Sequence, residues 1–286
     1  MKLIRYPTAE AFLDAAEPTL MQEEAKNNLI LGIPQQVATG RKYGAEPVYF
    51  LSVHDAHQLV AAAIRTPPYN LILHCEEDRL EALDRIAVHL IDEGEELPGA
   101  HGTVEAVDAF AEAWTKRTGT TARVFMSQRV YCLREVTPPS DVPGKMRWAQ
   151  ETDVATLAQW FLGFFHEAVP EDPPTDPEES ARRFLARGRL AVWETDDIVS
   201  MAGSSRGSKN GATVSAVYTP PGHRGCGYAS ACVAALSQSM LDEGSSFCTL
   251  YTDLSNPTSN KIYQNVGYRP VADFAMIAFE TGKEAS

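Results

Sequence analysis

Apolar side chains at Val154, Leu157, Trp160, Phe161, Phe164 and Phe165 recur three and four residues apart. That spacing predicts an amphipathic helix over 151–169. A second helical pattern, PEESARRFLARG, is closed by Gly188. Then the period changes. RLAVWE and IVSMAGSS read as strands divided by the acidic turn Asp196–Asp197, and ATVSAVYT reads as a third. A longer helix follows in YASACVAALSQSMLDEG, with Ala229, Cys232, Val233, Leu236 and Met240 on one face. FCTLYTDL is a strand. NPTSNKIYQNVG is a short helix that Asn256 can cap, Pro257 can start and Gly267 can end. With MRWAQ before it and YRPVADFAMIAFE after it, this half reads β-α-α-β-β-β-α-β-α-β.

The first half gives a blurred copy. Helical patterns fall at 8–16 and 19–31, and strands at PVYFLSV, QLVAAAIR and NLILHC. Helices fit EDRLEALDRIAVHLI and TVEAVDAFAEAWTKRTG, and ARVFMSQRVYCLREV reads as strand. The likeness between halves lies in element order, not in residues. VTPPSDVPGK, at 136–145, has three prolines and little apolar content, as a linker would. The expectation is two domains, 1–138 and 145–286. A second proline-rich acidic stretch at 169–180 reads as a loop inside the second.

Composition fits this picture: 286 residues, 44% of them apolar and 22% charged, are enough for two buried cores. No run of 18 apolar residues occurs, and the first residues do not read as a signal peptide. The five cysteines form no CxxC pair, which favours reduced thiols and a cytoplasmic setting. The net charge of −13 is shared almost evenly between the halves. That argues against a nucleic-acid surface.

The most informative stretch is YTPPGHRGCGYASA, 218–231. Two prolines end a strand; an arginine and two glycines then precede a helix. Helix N-termini expose unpaired N–H groups and favour anions. Glycines allow close approach to the backbone. Arg224, Gly225, Gly227 and Ala229 therefore suit a loop that holds a pyrophosphate, although a plain strand–turn–helix connection would share these features. No GxxxxGK[ST] is present, and GxGxxG fails because Ser230 stands at its last position. The pattern R-x-x-G-x-A fits at every defined position.

Together with Asn-Pro-x-x-Asn-x-x-Tyr-x-x-x-Gly-Tyr at 256–268, the stretch 213–274 resembles the GNAT N-acetyltransferase superfamily. The looser element order extends the likeness over 145–280. The first half is similar to the degenerate second copy of two-domain members. The resemblance implies an α/β fold of tandem GNAT-like domains, each a mixed, mostly antiparallel central sheet flanked by helices. It also implies an acetyl-CoA site and no metal. Val217 and Thr219 would pair with the pantetheine arm, with Ala216 or Tyr218 nearby. The amides of Arg224, Gly225, Cys226, Gly227, Tyr228 and Ala229 would hold the pyrophosphate. Asn256 would touch the cofactor arm, and Tyr263 would sit near its sulfur as the catalytic acid.

Direct acyl transfer needs a neutral amine, a donor toward the carbonyl oxygen and an acid toward the leaving thiolate. A protonated phenol such as Tyr263 suits the last role. Many members of the superfamily carry a glutamate base on the strand before the loop, but ATVSAVYT has no acid or histidine. Glu167, His166, Asp253 or a water chain remain as possible bases. In the first half the corresponding helix start carries Glu76, Glu77 and Asp78, which repel phosphate. The first domain is therefore expected to be without a cofactor site. The resulting reading is an acetyl-CoA-dependent N-acetyltransferase acting on an amine of a small molecule or peptide, with no nucleic-acid or membrane partner. A non-catalytic acyl-CoA binding protein is the alternative.

Overall fold

The computed structural model describes residues 1–44, 47–168 and 176–281. The chain divides into two compact units, Met1–Val130 with Ala272–Ser286, and Tyr131–Val271. The division differs from a cut at the proline-rich 136–145. The reason lies in strand pairing: the end of the chain belongs to the sheet of the first unit.

Strand β1 (Lys2–Tyr6), helices α1 (Ala9–Leu20) and α2 (Asn28–Ala38), and strands β2 (Tyr49–Asp55), β3 (Gln58–Arg65) and β4 (Leu71–Cys75) come first. They are followed by α3 (Ala82–Asp92), β5 (Gly99–Thr103), α4 (Val104–Thr118) and β6 (Thr121–Leu133). Next come β7 (Lys145–Trp148), α5 (Val154–Ala168), α6 (Pro177–Ala186), β8 (Leu190–Glu194), β9 (Ile198–Gly207) and β10 (Gly211–Tyr218). The chain closes with α7 (Tyr228–Asp242), β11 (Phe247–Asp253), α8 (Pro257–Val266) and β12 (Arg269–Glu280). The two halves of this series have the same element order.

In the first unit the sheet runs β1-β2-β3-β4-β5, with β12 beside β5. Phe274–Ala278 pair antiparallel with Thr103–Gly99, whereas β4 and β5 are parallel. Leu51, Leu71, Leu83, Ile86, Phe110 and Trp114 are among the side chains that fill its core. Two strands, β1 and β5, escape a sequence reading. Lys2–Tyr6 is short, and Gly99–Thr103 holds two glycines and no alternation. The helix expected at 19–31 is broken instead. Asn27 donates to the Leu20 carbonyl at 2.9 Å and Asn28 to that of Ala25 at 2.7 Å. Side-chain amides thus take carbonyls that a continuous helix would use.

In the second unit the sheet runs β7-β8-β9-β10-β11. Only β10 and β11 are parallel among these paired strands of known register. Helix α5 buries Leu157, Trp160 and Phe161 against Leu190, Val192 and Met201. Helix α7 buries Cys232, Val233, Leu236 and Met240 beside Val214, Leu250 and Tyr268. These are the apolar positions that the helical spacing picks out. The loop expected at 169–180 falls mostly on 169–175, outside the described residues. Its end is built as a cap, with Asp176 accepting from the Glu179 amide at 2.9 Å.

Among the described residues no helix is long and apolar enough to cross a membrane, and no group of three or more potential metal ligands forms. All five cysteines are free.

Candidate functional site

The site begins where β10 leaves its neighbour. Gly211, Ala212 and Thr213 pair in parallel with Phe247, Cys248 and Thr249 of β11, and the pairing stops there. The hydroxyls of Thr213 and Thr249, 3.1 Å apart, mark the last closed rung. Both strands continue, β10 to Tyr218 and β11 to Asp253. On its other side β10 stays with β9, with a register shift between Ser215 and Tyr218. Ala216 sits in that bulge at φ +50°. A bulge sharpens the local twist, and the backbone of 214–218 gains an edge that β11 does not pair.

Beyond β10 the chain makes a short 3-10 turn, Pro221–His223, and then the two-glycine loop. Gly225 and Gly227 have φ of +80° and +81°, values that glycine adopts without steric cost. Gly227 is the cap residue of α7 and offers no side chain. Within the described residues, no amide from Gly225 to Ser230 donates a hydrogen bond to the protein. Successive unpaired N–H groups at a helix start make a concave anion site. A Cβ on Gly225 would stand in open space. A Cβ on Gly227 would meet Val142 at 3.0 Å, so this glycine serves packing behind the loop.

Arg224 crosses the mouth of this loop. Its Nε donates to the Thr219 carbonyl at 2.9 Å, and its Nη2 reaches both carboxylate oxygens of Glu167 at 2.7 and 2.9 Å. Its guanidinium carbon lies 5.7 Å from the centre of the Tyr218 ring. The hydrogen bond to Glu167 is the largest cause that holds the guanidinium above its ordinary pKa. The Tyr218 hydroxyl packs directly on Gly163 of α5, where any Cβ would clash. The Thr219 hydroxyl turns away to Ser200 at 2.8 Å.

Helix α8 supplies the opposite wall. Asn256 caps it, its Oδ1 accepting from the Ser259 amide at 3.0 Å. Asn260 is spent on structure: it donates to the carbonyls of Asp253 and Asn256 and accepts from Tyr131 at 3.0 Å. Two turns after the cap comes Tyr263, 8% exposed, with its ring edge-on to Tyr268 at 6.1 Å. Burial pushes its phenol up to about 12, so it holds its proton at neutral pH. Its hydroxyl has no hydrogen-bond partner among the described residues.

These walls enclose an open cleft of about 760 Å³. Among the residues expected from the sequence, Val217, Tyr218, Thr219, Arg224, Gly225, Gly227, Tyr228, Ala229, Asn256 and Tyr263 all line it. Cys226 does not; its thiol turns back to the Arg224 carbonyl at 3.7 Å, leaving only its amide on the loop. The possible bases are differently placed. Glu167 lines the cleft but is engaged by Arg224, and His166 is exposed on α5. The Asp253 carboxylate accepts from the Ser255 amide at 2.7 Å in the turn before α8. Sequence reasoning passes over His223, Ser230, Thr258, Ser259, Lys261 and Ile262, which also line the cleft. Four of these belong to α8, and the spacing from Asn256 to Tyr263 could have pointed to that face. In the first unit, β4 and β5 also pair only at Leu71–Ile72. The space beside them is filled there, with about 10 Å³ left around Lys26, Asn27, His74 and Phe274.

The model of the acetyltransferase (GNAT) family matches residues 154–268. No curated protein matches the chain. Among solved structures, a GNAT-family acetyltransferase from Colwellia psychrerythraea is 12% identical, covering 98% of this chain and 99% of its own, with TM-score 0.57. A GCN5-related N-acetyltransferase from Sphaerobacter thermophilus is 15% identical over 96% and 94% of the two chains, with TM-score 0.61. A tandem GNAT protein from the clavulanic acid biosynthesis pathway is 13% identical over 98% of both chains, with TM-score 0.54. At these identities the likeness is one of fold: the chain has the architecture of two-domain GNAT proteins, and the GNAT family model matches it over 154–268.

Proposed function

We propose, from the GNAT domain at 154–268, that the Tyr131–Val271 unit moves an acetyl group from acetyl-CoA directly to an amine. The observation that carries this reading is the convergence of three unlike features on one cleft. The β10 edge is unpaired after Thr213, the loop amides from Gly225 are unpaired, and a buried tyrosine keeps its hydroxyl unpaired. An extended amide-bearing arm suits the first and a pyrophosphate the second. A thioester sulfur suits the third.

Each part has a chemical task. The backbone of Val217 and Thr219 would hold the arm as an added strand. The Arg224 amide is spent on the Pro221 carbonyl at 3.3 Å, so the amides from Gly225 to Ala229, with the Arg224 guanidinium, would hold the pyrophosphate. Asn256 keeps its Nδ2 for the arm while Oδ1 caps α8. Tyr263 would face the leaving sulfur. Magnitudes refine its role: a phenol near 12 is a weaker acid than a thiol of about 8.5. Full proton transfer to a departing thiolate is therefore uphill, and Tyr263 serves best as a hydrogen-bond donor that stabilises it. With Glu167 serving as an ion-pair partner, His166 exposed on α5 and Asp253 turned into its own turn, the amine would lose its proton to water at the cleft mouth. The donor site is assigned to this unit and not to the Met1–Val130 unit, where Glu76, Glu77 and Asp78 precede α3.

Calorimetric titration of CoA into the full chain tests the reading. We expect one site per chain, weakened by Gly225→Val and unaffected by Glu77→Gln. Absence of binding, or binding that depends on the first unit, would overturn it. Release of thiol from acetyl-CoA with an amine present separates an enzyme from a binding protein.

A further inference from the structure

Arg224 is not merely near Glu167. It rests in a site shaped for a flat cation: a carboxylate fork with oxygens at 2.7 and 2.9 Å, a carbonyl at 2.9 Å, and an aromatic face 5.7 Å away. Such a set of partners is what a guanidinium seeks from any source. The same side chain is the one fixed cation of the phosphate loop, and Glu167 lines the same cleft. A dianionic pyrophosphate on the loop and the Glu167 carboxylate therefore compete for one positive charge. The pair is half exposed, at 46% and 52% for the two side chains, so it is weak. Such pairs change an equilibrium by at most about fivefold.

We propose that Glu167, the Tyr218 ring and the Thr219 carbonyl form a cation site that Arg224 fills while the cleft is empty. A cationic group of the acceptor fills it once the donor's pyrophosphate has drawn Arg224 away. This deepens the acetyltransferase reading and rests on it. The attacking amine must be neutral, so it is not the group held here. The acceptor must carry a second cation that stays protonated, and a guanidinium or a further ammonium meets that need. The acceptor class is thus a cationic amine, with Glu167 as its binding residue.

Agmatine, which carries a primary amine and a guanidinium on one alkyl chain, is the probe. Four calorimetric titrations on the full chain decide the matter: CoA into the parent and into Glu167→Gln, then agmatine into each after saturation with CoA. Loss of the competing carboxylate should tighten CoA by about two- to fivefold. Agmatine should bind the CoA-loaded parent about two- to fivefold more tightly than the CoA-free parent, and that gain should vanish in CoA-loaded Glu167→Gln. The last arm also subtracts any direct contact of agmatine with CoA. Unchanged or weaker CoA binding in Glu167→Gln overturns the proposal, as does agmatine binding that is absent or indifferent to CoA. Failure of the parent to bind CoA at all is a different result and refutes the acetyltransferase reading itself.

Discussion

The Tyr131 hydroxyl donates to Oδ1 of Asn260 over 3.0 Å, and Gln264 donates to the same hydroxyl at 3.1 Å. Through Asn260 the contact extends to the carbonyls of Asp253 and Asn256, at 2.8 and 2.7 Å. This amide holds the first turn of α8 together with the Asn256 cap, and so the position of Tyr263, one turn beyond Asn260. Asn260→Ala leaves the buried Tyr131 hydroxyl without an acceptor and takes one of two donors from the Asp253 and Asn256 carbonyls, at about 1–3 kcal/mol. We expect a lower midpoint in urea with an unchanged slope. A midpoint equal to the parent's would show that Asn260 does not hold the start of α8.

Gly225 and Gly227 should respond differently to the same change. A side chain at Gly225 projects into open space on the cleft side. Gly225→Val should lower CoA affinity by about tenfold, with a stability loss near 1 kcal/mol from its left-handed φ. A side chain at Gly227 meets Val142 at 3.0 Å, so Gly227→Val should act mainly on stability. Thermal melts beside CoA titrations of both variants check this, and equal losses of affinity and stability at the two positions contradict it.

Acid should loosen the start of α5. Asp153 takes Arg147 at 2.6 and 3.0 Å and the Gln150 amide at 2.7 Å. The hydrogen bond to Arg147, against burial, holds its carboxyl below the ordinary value. A lowered folded-state value means the stability is present above the unfolded pKa, about 3.9, and is lost as pH falls through the folded one. Asp153→Asn should cost about 1–2 kcal/mol at neutral pH and remove part of the acid limb below about pH 4. Urea melts from pH 2 to 7 measure it. A parallel acid limb in parent and variant rules the pair out as its source.

Helices and strands with strong periodicity were legible in the sequence, and α5 and α7 bury most of the faces that their spacing defines. What was not legible depended on long-range pairing. Gly99–Thr103 is a strand because Leu71–Ile72 and Phe274–Ala278 flank it, and nothing local says so. The unit boundary was hidden for the same reason: cutting at 136–145 would strip β12 from the sheet of the first unit. In the cleft, the loop and the Asn–Tyr pattern marked most of the lining. The Arg224–Glu167 pair spans 57 residues of sequence, and no local spacing could announce it. The different duties of Gly225 and Gly227 likewise depend on Val142, which packs behind one of them.

Tyr263, in the proposed reaction, stabilises a thiolate leaving in this cleft. Tyr263→Phe keeps the ring against Tyr268 and removes only the hydroxyl. The measurement is the rate of thiol release from acetyl-CoA with an accepted amine, taken beside CoA affinity. Loss of one well-placed donor costs about 10²–10³ in turnover. We expect a fall of that size with affinity changed by less than about threefold, since a neutral ground-state contact is worth only about 0.5–1.5 kcal/mol. Turnover within about twofold of the parent would contradict it and leave Tyr263 as a packing residue of α8.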